Sequence, residues 1–141
     1  MTKLNPYLNF NGNCEAAFTF YKSVFGGEFL GGVMRMGDAP GTEDLREEDK
    51  NRVMHVALPI GGDLLMGSDT HPEMGMQNLI EGNNNYISIF PETKEEADRL
   101  FNALSEDGTV LVPIQDVFWG DYFGNVKDKF GIYWMINYHK Q

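Results

Sequence analysis

The side chains best suited to proton transfer, nucleophilic attack or metal binding are three histidines, His55, His71 and His139, and the single cysteine, Cys14. His55 lies in the alternating run Val53–Ile60 (VMHVALPI). Strand geometry there puts Val53, His55 and Ala57 on one face and the more apolar Met54, Val56 and Leu58 on the other. An imidazole so placed can act as a general base, which makes His55 the candidate catalytic residue. His71 sits beside Pro72 in a predicted connector and His139 lies at the tail, so neither is expected to join His55. Cys14 falls in the first turn of a predicted helix, where the dipole can lower a thiol pKa; with no base expected beside it, it reads as a structural thiol. For ligand contact the strongest signal is Phe118-Trp119-Gly120, because small-molecule pockets combine aromatic walls with a few polar groups. Asp69 and Asp121, at predicted strand ends, could orient His55 or hold a cationic ligand. No G-x-G-x-x-G, G-K-[ST], G-x-S-x-G or C-x-x-C pattern occurs.

The elements that must position these residues are legible from periodicity. Leu4–Phe10 alternates as a strand, and Asn11-Gly12-Asn13 turns the chain and offers a helix N-cap. Ala17, Phe20, Tyr21 and Val24 form a helical stripe, widened by Phe18 and Phe25 and closed by Gly26-Gly27. Glu28–Met36 reads as a strand weakened by Gly31-Gly32. Gly37–Arg52 has neither period nor apolar content, so it is expected to be a solvated loop whose charges are a wetted face. Val53–Ile60 and Asp63–Ser68 flank Gly61-Gly62, a hairpin signal, and Asp69–Asn84 reads as a connector. Asn85–Phe90 predicts another strand. Thr93 and Glu96 form a capping box before a second stripe at Ala97, Leu100, Phe101 and Leu104, which Asp107-Gly108 stops. Strands are then expected over Thr109–Val117, Trp119–Lys127 and Ile132–Tyr138, the last two joined by a turn at Asp128–Gly131.

The two halves repeat. A shift of 80 residues superposes Phe10 on Phe90, Ala17 on Ala97, Tyr21 on Phe101 and Val24 on Leu104, and a shift of 69 brings Gly62 to Gly131 and Met66 to Met135. Each half reads strand, helix, strand, strand, strand. The expected class is α+β: one domain over 1–141, made of a first module over about 1–70 and a second over about 85–141, each a mixed sheet with a helix on one face. If Met135 faces a cavity, alternation carries Tyr133 and Asn137 with it and sends Trp134 and Ile136 to the helix. By the same parity Met66, Ser68 and Asn9 face a cavity.

Composition narrows the function. A net charge of -10, from 11 basic and 21 acidic residues, opposes binding to nucleic acid or an anionic membrane. Hydrophobic content of 42% suits a folded core, and no apolar run approaches the roughly 20 residues of a membrane helix. The start MTKLNPYLNF does not read as a signal peptide, and one cysteine suits a reducing cytoplasm.

The duplicated βαβββ order, Phe20-Tyr21 ahead of a glycine pair, and the closing DKFGIYWMIN resemble the vicinal oxygen chelate superfamily, which includes glyoxalase I, extradiol dioxygenases and bleomycin and fosfomycin resistance proteins. NPYLNFNGNCEAAFTFY, MHVALPIGGDLLMGSD and FWGDYFGNVKDKFG are similar to its PhnB-like branch. The resemblance covers nearly the whole chain and implies cup-shaped sheets and a homodimer. It also implies a divalent metal held by side chains of the first and last strand of each module. Here the matching positions are Met66 and Met135 on the closing strands, and Asn5 or Pro6 and Asn85 or Tyr86 on the opening ones. Thioethers are poor ligands for hard divalent ions, so no metal and no cofactor is expected. PhnB-like proteins sometimes carry a demethylubiquinone methyltransferase name, but the glycine-loop unit of a nucleotide-type cofactor site is missing. The expectation is a cytoplasmic protein that binds or sequesters a small organic molecule, through Asn9, Met66, Ser68, Asp69, Trp119, Asp121, Tyr133 and Met135. The alternative is a lyase or dioxygenase-type enzyme, with an atypical metal site or with His55 as general base.

Overall fold

The computed structural model describes residues 1–71 and 78–140 and divides into two compact units, Met1–Ile80 and Glu81–Gln141. The first contains β1 (Tyr7–Phe10), α1 (Cys14–Phe25), β2 (Met34–Arg35), a 3-10 turn (Met36–Asp38), α2 (Glu47–Lys50), β3 (Val53–Ile60) and β4 (Asp63–Asp69). The second contains β5 (Ile87–Ile89), α3 (Lys94–Ser105), β6 (Thr109–Asp116), β7 (Asp121–Lys127) and β8 (Tyr133–His139). The sheets have the same plan: β1-β4-β3-β2 and β5-β8-β7-β6, with β1 parallel to β4, β5 parallel to β8, and every other pairing antiparallel. The fold is therefore α+β, built from two four-stranded mixed sheets. The long helices start and end 80 residues apart, Cys14 with Lys94 and Phe25 with Ser105, the interval at which their stripes repeat.

Each helix covers one face of its own sheet. In the first unit Phe18 and Tyr21 of α1 are buried with Phe10, Val56, Leu58 and Leu65. Gly67 of β4 lies against Phe18 so closely that a Cβ there would stand 2.6 Å from the ring and 2.9 Å from the Leu8 carbonyl. In the second unit Leu100, Phe101 and Leu104 of α3 are buried with Val126, Trp134 and Ile136. Trp134 is fully enclosed, and its indole N–H donates to Asp128 Oδ2 at 2.8 Å. The other oxygen of Asp128 accepts from the amides of Phe130 and Ile132, so one carboxylate locks the β7–β8 turn and the largest core residue together.

The structure corrects several expectations. Regular pairing of the first strand begins at Tyr7, and the strand expected over Glu28–Met36 shrinks to Met34–Arg35 because Gly31 and Gly32 both adopt positive φ. Gly37–Arg52 is not merely a wetted loop. It holds α2 and contains the buried Thr42 and Asp49. Asp49 pairs with Arg46, Arg52 and His71. Burial alone would raise the Asp49 carboxyl, but hydrogen bonds from Arg46 and His71 hold it below its ordinary value. Asn13 makes no side-chain cap on α1, a role that falls to Asp69 of β4. Asp69 is still in β4, so the connector begins after it, and residues 72–77 of that expected connector, Pro72 included, lie outside the described residues. Trp119 is not in a strand: Val117–Gly120 forms the β6–β7 turn, closed by the Gly120 amide donating to the Val117 carbonyl at 2.9 Å, with Gly120 at φ +99°.

Candidate functional site

Because each helix occupies one face, function has the opposite face of each sheet to work with. In the first unit, strand register sets Tyr7 of β1 beside Met66 of β4 and Met66 beside Ala57 of β3, while Asn9 stands beside Ser68. Neighbours in register share a face, and Gly67, which alternates with Met66 and Ser68, abuts Phe18 on the helix side. Asn9, Met66 and Ser68 therefore lie on the face turned from α1, as alternation predicted. Ser68 Oγ is 3.4 Å from Asn9 Oδ1. His55 joins them through Tyr7: the rings stack with centroids 5.8 Å apart, and the phenolic oxygen lies 3.2 Å from His55 Nδ1.

Asp69 does not belong to this group. Its carboxylate is 1% exposed and accepts from the amides of Gly12 at 2.8 Å, Cys14 at 3.0 Å and Val53 at 2.9 Å. It caps α1 from another strand and ties that helix to the start of β3. Nor does it orient His55. Its neighbour Cys14 is fully buried, and burial, followed by the adjacent Asp69 charge, pushes the thiol pKa far up. Cys14 is inert packing, since desolvation outweighs the helix dipole.

In the second unit Asp121, Phe123 and Asn125 of β7 oppose His139, Asn137 and Met135 of β8, and Lys127 opposes Tyr133. Gly124 between them abuts Phe101 of α3, so this set lies on the face turned from the helix. Tyr133 and Met135 are where parity placed them. Asp121 is 8% exposed and gathers its neighbours: Oδ1 lies 2.6 Å from His139 Nδ1, and Oδ2 accepts from Asn137 Nδ2 at 3.1 Å. The His139 hydrogen bond, then that of Asn137, and to a lesser degree the Trp119 side chain, hold the Asp121 carboxyl below its ordinary value against the opposing effect of burial. Trp119 is 52% exposed and packs edge-on against Phe123 at 5.7 Å and Phe118 at 4.9 Å. The sequence reading missed Tyr7, Phe123 and above all His139. A hairpin turning at Asp128–Gly131 carries the signal, because counting outward from that turn sets Asp121 opposite His139.

The positions that would serve a metal can now be read from register. Met66 stands beside Tyr7, and Met135 beside Ser88, so the opening-strand partners are these two and not Asn5 or Pro6, nor Asn85 or Tyr86. Thioether, phenol and hydroxyl do not fit a hard divalent ion. Among the described residues no three His, Cys, Asp or Glu side chains converge as a metal would require.

Comparison with known proteins accords with this architecture. The family described as 3-demethylubiquinone-9 3-methyltransferase matches residues 2–137. The crystal structure of protein PA1353 from Pseudomonas aeruginosa is similar over 100% of both chains, at 38% identity and a TM-score of 0.86. A putative 3-demethylubiquinone-9 3-methyltransferase, PhnB protein, from Bacillus cereus is 27% identical over 97% of this chain and 99% of its own, with a TM-score of 0.75. A glyoxalase/bleomycin resistance protein/dioxygenase family enzyme from Burkholderia phytofirmans, 18% identical over 95% and 97% of the two chains at a TM-score of 0.67, shares the fold. The chain thus belongs to the PhnB-like family, described as 3-demethylubiquinone-9 3-methyltransferase, and has the glyoxalase/bleomycin-resistance fold.

Proposed function

We propose that this protein binds or sequesters a small organic molecule on the sheet faces turned from its helices, as a cytoplasmic homodimer and without the divalent ion usual for the fold. The observation that carries this reading is the pair Met66 and Met135. Each stands at the ligand position of a closing strand, beside Tyr7 and Ser88 in place of coordinating side chains. Polarizable thioethers beside aromatic rings (Tyr7 and His55 in one unit, Tyr133 and Phe123 in the other) suit the body of an organic ligand, while Asn9, Ser68 and Asn137 can orient its polar groups. Excess acidic charge favours a neutral or cationic ligand. The methyl transfer in the family's description would call for a nucleotide-type cofactor cradle, but in each sheet a single strand pair is parallel, unlike the run of parallel strands on which such cofactors sit.

Thermal-shift measurements against small aromatic, cationic and phosphonate compounds test the reading. A compound that binds only the folded state, at one hundred times its Kd, adds about 2.7 kcal/mol and raises Tm by several degrees. Met135→Lys should abolish that shift. Failure of every class to raise Tm, or stoichiometric Zn, Ni, Mn or Fe in protein purified without chelator, overturns it. The metal result would favour the lyase or dioxygenase-type alternative.

A further inference from the structure

We infer that His139, not His55, is the proton-accepting side chain of this protein, and that it acts on a planar aromatic substrate bearing an acidic C–H, held beside Trp119. The inference concerns the second unit alone and goes beyond ligand binding to an activity. Three features of that unit carry it.

The first is the carboxylate. Asp121 is nearly buried, and its two oxygens collect the His139 imidazole at 2.6 Å and the Asn137 carboxamide at 3.1 Å, so its position is held from both sides. A carboxylate can only accept, so in the neutral imidazole the proton resides on Nδ1, and the lone pair of Nε2 points away from Asp121. This is the orientation that carboxylate–histidine pairs use to present a base. The second is access. The His139 side chain is 76% exposed, so the imidazole is not a filled-in core group, and the neighbouring Lys140 ammonium is bound to Asp116 and does not compete for Asp121. The third is the platform. Trp119 packs edge-on against Phe123, which shares with Asp121 the face of β7 turned from the helix, and exposed Phe118 stands edge-on to that indole. A planar substrate stacked there would lie along the same sheet face as the imidazole.

His55 lacks the carboxylate. Its Nδ1 partner is the Tyr7 hydroxyl at 3.2 Å, a group that can donate or accept and so does not dictate which nitrogen is bare. No carboxylate bonds to it among the described residues. The chemistry is proton abstraction: the substrate C–H bond breaks, the proton goes to Nε2, and the electron pair stays with the substrate to form a π-bond or expel a leaving group. The Nδ1 proton remains shared with Asp121, and the imidazolium returns its proton to water.

5-Nitrobenzisoxazole tests this directly. Loss of its C3 proton to a base turns the C–H pair into a nitrile π-bond and breaks the N–O bond, releasing a coloured cyanonitrophenolate with no oxidant or second reactant. The wild type should show a kcat/KM on the order of 100-fold above the rate constant of free imidazole at the same pH. His139→Gln should remove that excess. Trp119→Ala should raise KM with kcat little changed. Asp121→Asn should lower kcat at least about tenfold, because an amide can donate to Nδ1 and favour the wrong tautomer. Imidazole 15N shifts should report that change, which a merely structural Asp121 would not produce. Equal activity of His139→Gln and wild type, loss of activity in His55→Gln alone, or a wild-type rate no better than imidazole overturns the inference. An unchanged rate and tautomer in Asp121→Asn removes the positioning role of Asp121. None of these results bears on Met135→Lys and the thermal shifts, so the binding reading stands or falls separately.

Discussion

Replacing Asp69 with alanine is expected to be among the most damaging single substitutions in the first unit, and its cost can be worked from the contacts. The carboxylate accepts three backbone bonds, from Gly12 and Cys14 through Oδ1 and from Val53 through Oδ2. A buried donor left unpaired costs about 1–3 kcal/mol. Cys14 is fully buried and Val53 1% exposed, whereas Gly12 is exposed and can turn to water, so two orphaned amides remain. Their sum, with about 0.5 kcal/mol for the negative charge lost from the start of α1, gives a destabilisation of about 3–6 kcal/mol. That is a large fraction of the roughly 5–15 kcal/mol that holds a typical domain folded. Asp69→Asn keeps one oxygen for Gly12 and Cys14 but turns an amide N–H toward the Val53 N–H, so it should cost about 1–3 kcal/mol. Urea denaturation followed by circular dichroism gives both values, and amide hydrogen exchange adds the local readout: the Cys14 and Val53 amides should lose protection ahead of the rest of the unit. A loss below about 1 kcal/mol for Asp69→Ala, or unaltered protection at both amides, would refute the tertiary-cap account.

Gly67→Ala places a methyl group 2.6 Å from the Phe18 ring and 2.9 Å from a backbone oxygen, so it should lower stability by about 1–3 kcal/mol, seen as a fall in Tm. The depressed Asp121 carboxyl contributes stability that is present above its unfolded value of 3.8 and is lost as pH falls through its lower folded value. Asp121→Asn should therefore flatten the acid limb of a urea midpoint-versus-pH curve, and a curve identical to wild type would contradict that linkage. Tyr122, whose hydroxyl donates to Asp98 Oδ1 at 2.5 Å, is pushed up to about 12 by that bond, with burial second. Its contribution is full below pH 10 and disappears as pH rises through about 12, so absorbance titration should show a late phenol that Tyr122→Phe removes.

The amino-acid sequence by itself determined the repeated βαβββ plan, both long helices, the hairpin turns and the face on which Met66, Ser68, Tyr133 and Met135 lie. Each of those follows from periodicity, which acts between near neighbours. What only the tertiary structure decided is which partners meet across strands. Asp69 sits at a strand end and reads like a solvated or ligand-binding carboxylate, yet parallel pairing of β4 with β1 carries it under the start of α1. Asp49, inside a charge run with no apolar period, is buried because Arg46, Arg52 and His71 converge on it. His139 looks like a tail residue until the β7–β8 register brings it to Asp121, and Trp119 looks like a strand residue until Gly120 turns the chain beneath it. Side-chain alternation is a property of one strand and can be counted along the chain, whereas register is a property of two strands. A slip of one residue, as separates Tyr7–Met66 from Ser88–Met135 when the halves are aligned by their helices, changes every contact without altering the local pattern.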